Sequence, residues 1–203
     1  YSNAEDRQEV RDRLVAILAT GLRDAMPGSD HQVAYANGLA TAATTDAADL
    51  LKGWLSGEEV PEGLSIDQGM RWRLVTALAR VGRVGEDEIA AELQRDNTIS
   101  GSEQAAGARA AMPTAQAKQA AWQRATTDDS VPNETYRQLV MQFIQPDQTE
   151  VLSPYVDPYL ELCKAIDSHE GQWAKAGHAQ VQNALMWLFP STEVIDAAWL
   201  NKL

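Results

Sequence analysis

Cysteine is almost absent from this 203-residue chain. Cys163 stands alone, so no disulfide forms within it, and that fits a reducing compartment. Positive charge is also short, with 17 Lys and Arg against 29 Asp and Glu and a net charge of −12. A surface that acidic repels phosphate backbones, which argues against nucleic acid as a partner. Aromatic residues make up only 6% of the chain. No segment alternates apolar and polar residues around a hairpin turn, so a sheet is not expected. No apolar run approaches the ~20 residues a membrane-spanning helix requires, and a membrane is not an expected partner. Histidine is limited to His31, His169 and His178.

What is abundant is alanine and leucine at short spacing, within a hydrophobic fraction of 44%. Such a composition suits close-packed helices. Val10, Leu14, Ile17, Leu18 and Leu22 repeat with the helical period and predict one buried stripe. Met70, Leu74, Ala77, Leu78 and Val81 do the same, while Trp72, Val75 and Ala79 add a second stripe, so that helix is covered on two sides. Tyr136, Leu139, Val140, Phe143 and Ile144 give a clean face, and Val181, Ala184, Leu185 and Leu188 another. Stops fall at Pro27–Gly28, Gly82 with Gly85, Pro113, Pro146 and Pro190.

Helix starts are expected at Ser29 with Gln32, Ser65 with Gln68, Ser100 with Glu103, and at Asn133 after Pro132. These four positions are thirty-three to thirty-six residues apart, the length of one helical hairpin in a stacked array. The expected fold is all-α, a superhelical stack of antiparallel helix pairs of the HEAT/ARM-like α-α solenoid kind. Residues 1–4 read as an expression scar, and residues 5–203 as a single helical-repeat domain.

Few side chains are candidates for chemistry. Arg71 beside Trp72, and Arg109 amid alanines, each interrupt an apolar helix. An arginine there either faces a groove and holds a peptide carboxylate, or pairs with a neighbouring carboxylate or helix-end carbonyl. For Arg71 the i−4 residue Asp67 is one such carboxylate. Asp128–Asp129 with Asn133 reads as a turn-forming group. Cys163 sits among Tyr159, Leu160 and Leu162 and reads as a small core residue. The six tryptophans read as packing anchors. No catalytic, cofactor-binding or metal-binding residue is nominated.

A family pattern runs through Asp67, Arg71–Trp72, Arg95–Asp96–Asn97–Thr98, Gly101, Ala108–Arg109–Ala110, Pro113, Lys118 and Trp122. Further pieces are GSDHQVAYANGLA, Val60–Pro61–Glu62–Gly63–Leu64, Gln145–Pro146–Asp147–Gln148, Leu152 with Pro154–Tyr155, and Leu188–Phe189–Pro190. Together they resemble the C-terminal helical, HEAT-like domain of the bacterial aminopeptidase N family of zinc metallopeptidases, the gluzincins. The resemblance implies a cytoplasmic bacterial parent enzyme, with zinc and the catalytic residues in an upstream domain. The helical domain then encloses and gates the peptide substrates that lose N-terminal amino acids. Agreement is poorest at Lys164–Gly171.

A gluzincin site needs two His one helical turn apart plus a Glu, leaving an open position on the metal for water. Here His169–Glu170–Gly171–Gln172–Trp173 starts that motif and ends it with Trp, which cannot ligate zinc. His178, nine residues on, falls on the opposite face if the segment is helical. The chain is therefore expected to be inactive alone and to hold no zinc. The alternative is a free-standing helical-repeat scaffold that binds a peptide or protein. An exposed apolar face near Val10 and Leu14 separates the two, because a self-contained scaffold is expected to cap its ends with polar faces.

Overall fold

The computed structural model describes residues 4–201, and every element among them is helical. The chain divides into two compact units, one ending at Val84 and the other beginning at Gly85. Of residues 1–4, read from the sequence as an expression scar, the first three lie outside the described residues, and Ala4 opens the first helix.

The first unit holds α1 (Ala4–Asp24), α2 (Asp30–Ala42), α3 (Ala48–Ser56) and α4 (Gln68–Arg80). Helix α1 packs on α2, and α4 packs on both α2 and α3. Close approach of α1 and α2 is bought with missing side chains: a Cβ on Gly21 would run into the ring of Tyr35. Helix α4 is covered on two sides, with Met70, Trp72, Leu74, Val75, Ala77, Leu78 and Ala79 all buried. That matches its two predicted stripes.

The α1 stripe behaves differently. Leu22 is buried, yet Val10 is 63% exposed, Leu14 43% and Ile17 64%. The sequence period is helical as expected, but among the described residues nothing buries Val10, Leu14 or Ile17.

The second unit holds α5 (Glu86–Arg95), α6 (Ile99–Ala111), α7 (Ala115–Thr127), α8 (Asn133–Met141), the short α9 (Thr149–Leu152), α10 (Val156–Asp167), α11 (His178–Trp187) and the short α12 (Ala197–Leu200). Helix α6 packs against α5, α7 and α8. It can do so because its buried positions are Gly101, Ala105, Ala106, Gly107, Ala108, Ala110 and Ala111, which add almost nothing to its radius. The predicted faces of α8 and α11 point inward at Tyr136, Leu139, Val140, Ala184 and Leu188. Behind them Trp122, Phe143 and Tyr155 form an aromatic cluster with ring centroids 5.1–5.7 Å apart.

The cap chemistry corrects the expected starts. Ser29 does cap α2, its Oγ accepting from the Gln32 amide, but Gln32 Oε1 accepts from Gly28 rather than from Ser29. The α4 cap is Asp67, whose carboxylate accepts from Met70 N at 2.8 Å, and not Ser65. The α6 cap is Thr98, accepting from Gly101 N, while Ser100 lies inside the helix. Asn133 is already helical, and no side chain caps α8. For α4 and α6 a second capping residue stands two positions from the expected one, and only loop geometry decides between them.

Candidate functional site

Helix ends leave their last carbonyls without intrahelical partners. In this chain long side chains from other helices take those carbonyls. Arg71, on α4, donates from Nη1 to Leu55 O near the end of α3 at 2.9 Å. Arg80, also on α4, donates from Nη2 to Thr41 O and Ala43 O at the end of α2. A guanidinium at a helix C-terminus also meets the negative end of the macrodipole. Arg71 is thus seated on a helix-end carbonyl, one of the two structural partners expected for it.

The second unit uses a lysine. Lys118, on α7, has no exposed surface at all. Its Nζ donates to Ala110 O at the end of α6 and to Phe143 O just past α8, both at 2.7 Å. The same ammonium lies 5.4 Å from the centroid of the Phe143 ring. Burial pushes the lysine down to about 7 from its usual value. Gln148 completes the α6 end by donating from Nε2 to Ala111 O at 2.9 Å, and Gln172 does the same for Ala125 O on α7 at 2.7 Å. Lys118 and Gln148 stand in the family pattern, but nothing in the local sequence marks them as buried. A lysine four positions from the helix start reads as surface until the helix C-termini converge on it.

Arg109 has a different role from Arg71. From α6 it grips Glu86 at the start of α5, with Nε 2.9 Å from each carboxylate oxygen and Nη2 2.6 Å from Oε1. The pair is half-exposed, at 35% for the arginine and 54% for the glutamate. It lines a groove of about 280 Å³ between α6 and α7. The walls are alanines, Ala106 and Ala110 on one side and Ala117, Ala120 and Ala121 on the other, with Leu139 of α8 below and Arg124 at the rim. The two arginines singled out by sequence therefore lie in different units, Arg71 at a helix end and Arg109 in an ion pair beside a groove. The groove itself was not foreseen, because its walls are alanines that read only as helix packing.

A larger, more open cavity of about 760 Å³ runs between α7 and α10, floored by Trp122 and Trp173. In the first unit a cavity of about 440 Å³ is walled by Leu22, Leu39, Leu50 and Trp54.

The histidines do not assemble a metal site. His169 follows α10 in a left-handed turn, with φ of 54° and Nδ1 3.0 Å from Asp167 O, and His178 opens the next helix. The helical phase assumed between them does not apply, because a turn and a 3₁₀ segment intervene. Among the described residues no three His, Cys, Asp or Glu gather closely enough to hold a metal ion. The donor set among the described residues does not fit zinc. Asp128 accepts from the amide and hydroxyl of Ser130, which hold its carboxyl below the usual range, the arrangement of a turn former. Cys163 is half-buried within the core of the second unit, and burial raises its thiol. That leaves little thiolate for nucleophilic work.

Residues 2–197 match the ERAP1-like C-terminal domain family. The chain belongs to that family. An aminopeptidase N from Streptomyces lividans is 39% identical to it over 195 residues, which is 96% of this chain and 22% of that protein. The chain thus spans about a fifth of the curated relative it matches. The resemblance first carried by Arg71–Trp72, Arg95–Asp96–Asn97–Thr98 and Lys118 therefore stands: this is a C-terminal helical domain of the aminopeptidase N family.

Proposed function

We propose that the chain is the substrate-enclosing part of a zinc-dependent aminopeptidase, working beside an upstream catalytic domain of the same polypeptide. The observation that carries this reading is the lopsided match, nearly all of this chain against about a fifth of an aminopeptidase N. A domain of this kind acts by enclosure. Surrounding a bound peptide excludes bulk water, strengthens the electrostatics at the reacting centre and narrows the poses available to the substrate. None of the residues described above supplies a nucleophile, a base or a zinc ligand in this proposal, and peptides removed one N-terminal residue at a time are its substrates. The HEAT-like stacking of helix pairs gives the enclosure its wall. The lone cysteine fits a cytoplasmic parent.

The outer face of α1 favours this over a free-standing peptide-binding scaffold. Val10, Leu14 and Ile17 form an exposed apolar stripe, whereas the terminal helices of a self-contained repeat array carry polar outer faces. The test compares the parent enzyme with and without this segment on an aminoacyl anilide and on a peptide of ten residues. The proposal expects the ratio of the two kcat/KM values to change when the segment is removed. An unchanged ratio, in a truncated enzyme that still turns over the anilide, would contradict it. Extending the reading frame upstream of Ala4 gives a second check. A frame that runs into H-E-x-x-H supports the proposal, and a start codon at that point opposes it.

A further inference from the structure

The cavity of the first unit combines three features that the enclosing role does not use. At about 440 Å³ it falls within the size range of small-ligand sites. Leu22 of α1, Leu39 of α2 and Leu50 of α3 make its walls apolar. Two buried polar side chains share those walls and differ in one respect. Gln32, only 2% exposed, has both ends of its amide engaged, with Oε1 accepting from Gly28 N and Nε2 donating to Glu62 O. Trp54, only 1% exposed, keeps an indole N–H with no hydrogen-bond partner among the described residues. A buried donor left unpaired is costly and uncommon in native proteins. An acceptor seated in the cavity relieves that cost. The charged side chains lining it, Arg23, Glu59 and Glu62, are exposed and sum to one negative charge on a chain of −12. That disfavours an anionic guest and leaves a neutral carbonyl as the match for a neutral indole.

We propose that this cavity seats an interior aliphatic residue of a peptide chain. A backbone carbonyl of the peptide accepts from Trp54 Nε1, and a leucine-sized side chain packs against Leu22, Leu39 and Leu50. Nε1 is itself screened from water, so a small turn of the indole accompanies binding, and its proton resonance reports that step directly. The choice of a peptide as guest rests on the aminopeptidase reading, because peptides are what that enzyme encloses. Such a seat ranks substrates by a residue other than the one removed, and Glu59 and Glu62 turn acidic residues away from it.

The test is a titration of the 203-residue chain with N-acetyl-L-leucinamide, a neutral stand-in for an interior leucine, followed by amide and indole resonances. Saturable shifts confined to α1, α2, α3 and the 57–64 connection are expected in the millimolar range, with the Trp54 indole proton moving downfield. Trp54→Phe keeps an aromatic ring and removes the donor, and should weaken binding by about fivefold, the loss of one neutral hydrogen bond. A guest series on the unaltered chain keeps the proposal testable if that variant fails to fold. N-acetylglycinamide, which lacks the side chain, and the N-acetyl amide of L-aspartate, which is anionic, should both fail to saturate. An absence of saturable shifts, an indole resonance that does not move, equal binding by Trp54→Phe, or equal binding of the glycine or aspartate compound would each overturn the assignment. The titration involves no turnover, so a negative result retires the cavity alone. The aminopeptidase reading is judged by the anilide and peptide comparison.

Discussion

The two units solve the same problem with different residues. In the first, arginines on α4 reach the ends of α2 and α3 from partly exposed positions. In the second, a fully buried lysine reaches the end of α6 and the turn after α8. The two settings differ in bulk and exposure. Helix α4 buries Trp72, Leu74 and Leu78, whereas the buried positions of α6 are all Gly and Ala. The arginines keep part of their surface in water, while Lys118 is wholly buried with its ammonium on two carbonyls. The lesson is that helix-end carbonyls are met by arginine where the cation stays partly exposed and by lysine where it is enclosed.

Breaking the large-residue packing should have the greatest effect. Trp72→Ala removes a side chain that is only 2% exposed, and should lower stability by about 3–5 kcal/mol in a denaturant titration. A loss below about 1 kcal/mol would mean that α4 is not the centre of its unit.

In the second unit the decisive change is at the lysine. Lys118→Met keeps the stem and leaves Ala110 O and Phe143 O without their donor, which should cost about 1–3 kcal/mol. The same substitution gives a pH signature. The folded lysine is held near 7, below its unfolded value of 10.5, so between those values the unfolded chain binds the extra proton. This contribution is therefore present at high pH and lost as pH falls towards about 7. Wild-type stability should rise relative to Lys118→Met between pH 7 and pH 9, measured by unfolding at each pH. A difference that stays flat would show the ammonium to be as well solvated as in the unfolded chain.

The packing around α6 can be tightened further. A Cβ at Gly101 would collide with the carbonyl oxygen and carboxyl of Asp96, so Gly101→Ala should destabilise the second unit by about 1–3 kcal/mol. The smallest effect belongs to the half-exposed pair. Glu86→Gln should cost under about 1 kcal/mol, because exposed ion pairs gain little in water.

Much of this was legible from the chain. The two-sided burial of α4 and the inward face of α8 follow from apolar period alone, since each stripe meets a partner helix within the described residues. The α1 stripe was equally clear, but periodicity states only that a face is apolar and not what covers it. The cap positions at Asp67 and Thr98 were missed by two residues because Ser65 and Ser100 carry the same chemistry nearby. Arg71 and Arg109 were singled out as charges inside apolar helices, and their separate seats depend on contacts at sequence distances of 16 and 23 residues. Lys118 was not, since a charge on an alanine-rich helix looks solvated until its neighbours are placed.

The central question is whether chemistry resides in this chain. The most direct measurement is the zinc content and aminoacyl-anilide turnover of the purified, tag-free protein in the presence of added zinc. The expected result is no stoichiometric zinc and no release of amino acid above the buffer rate. Zinc bound one per chain, with turnover that a chelator abolishes, would contradict it.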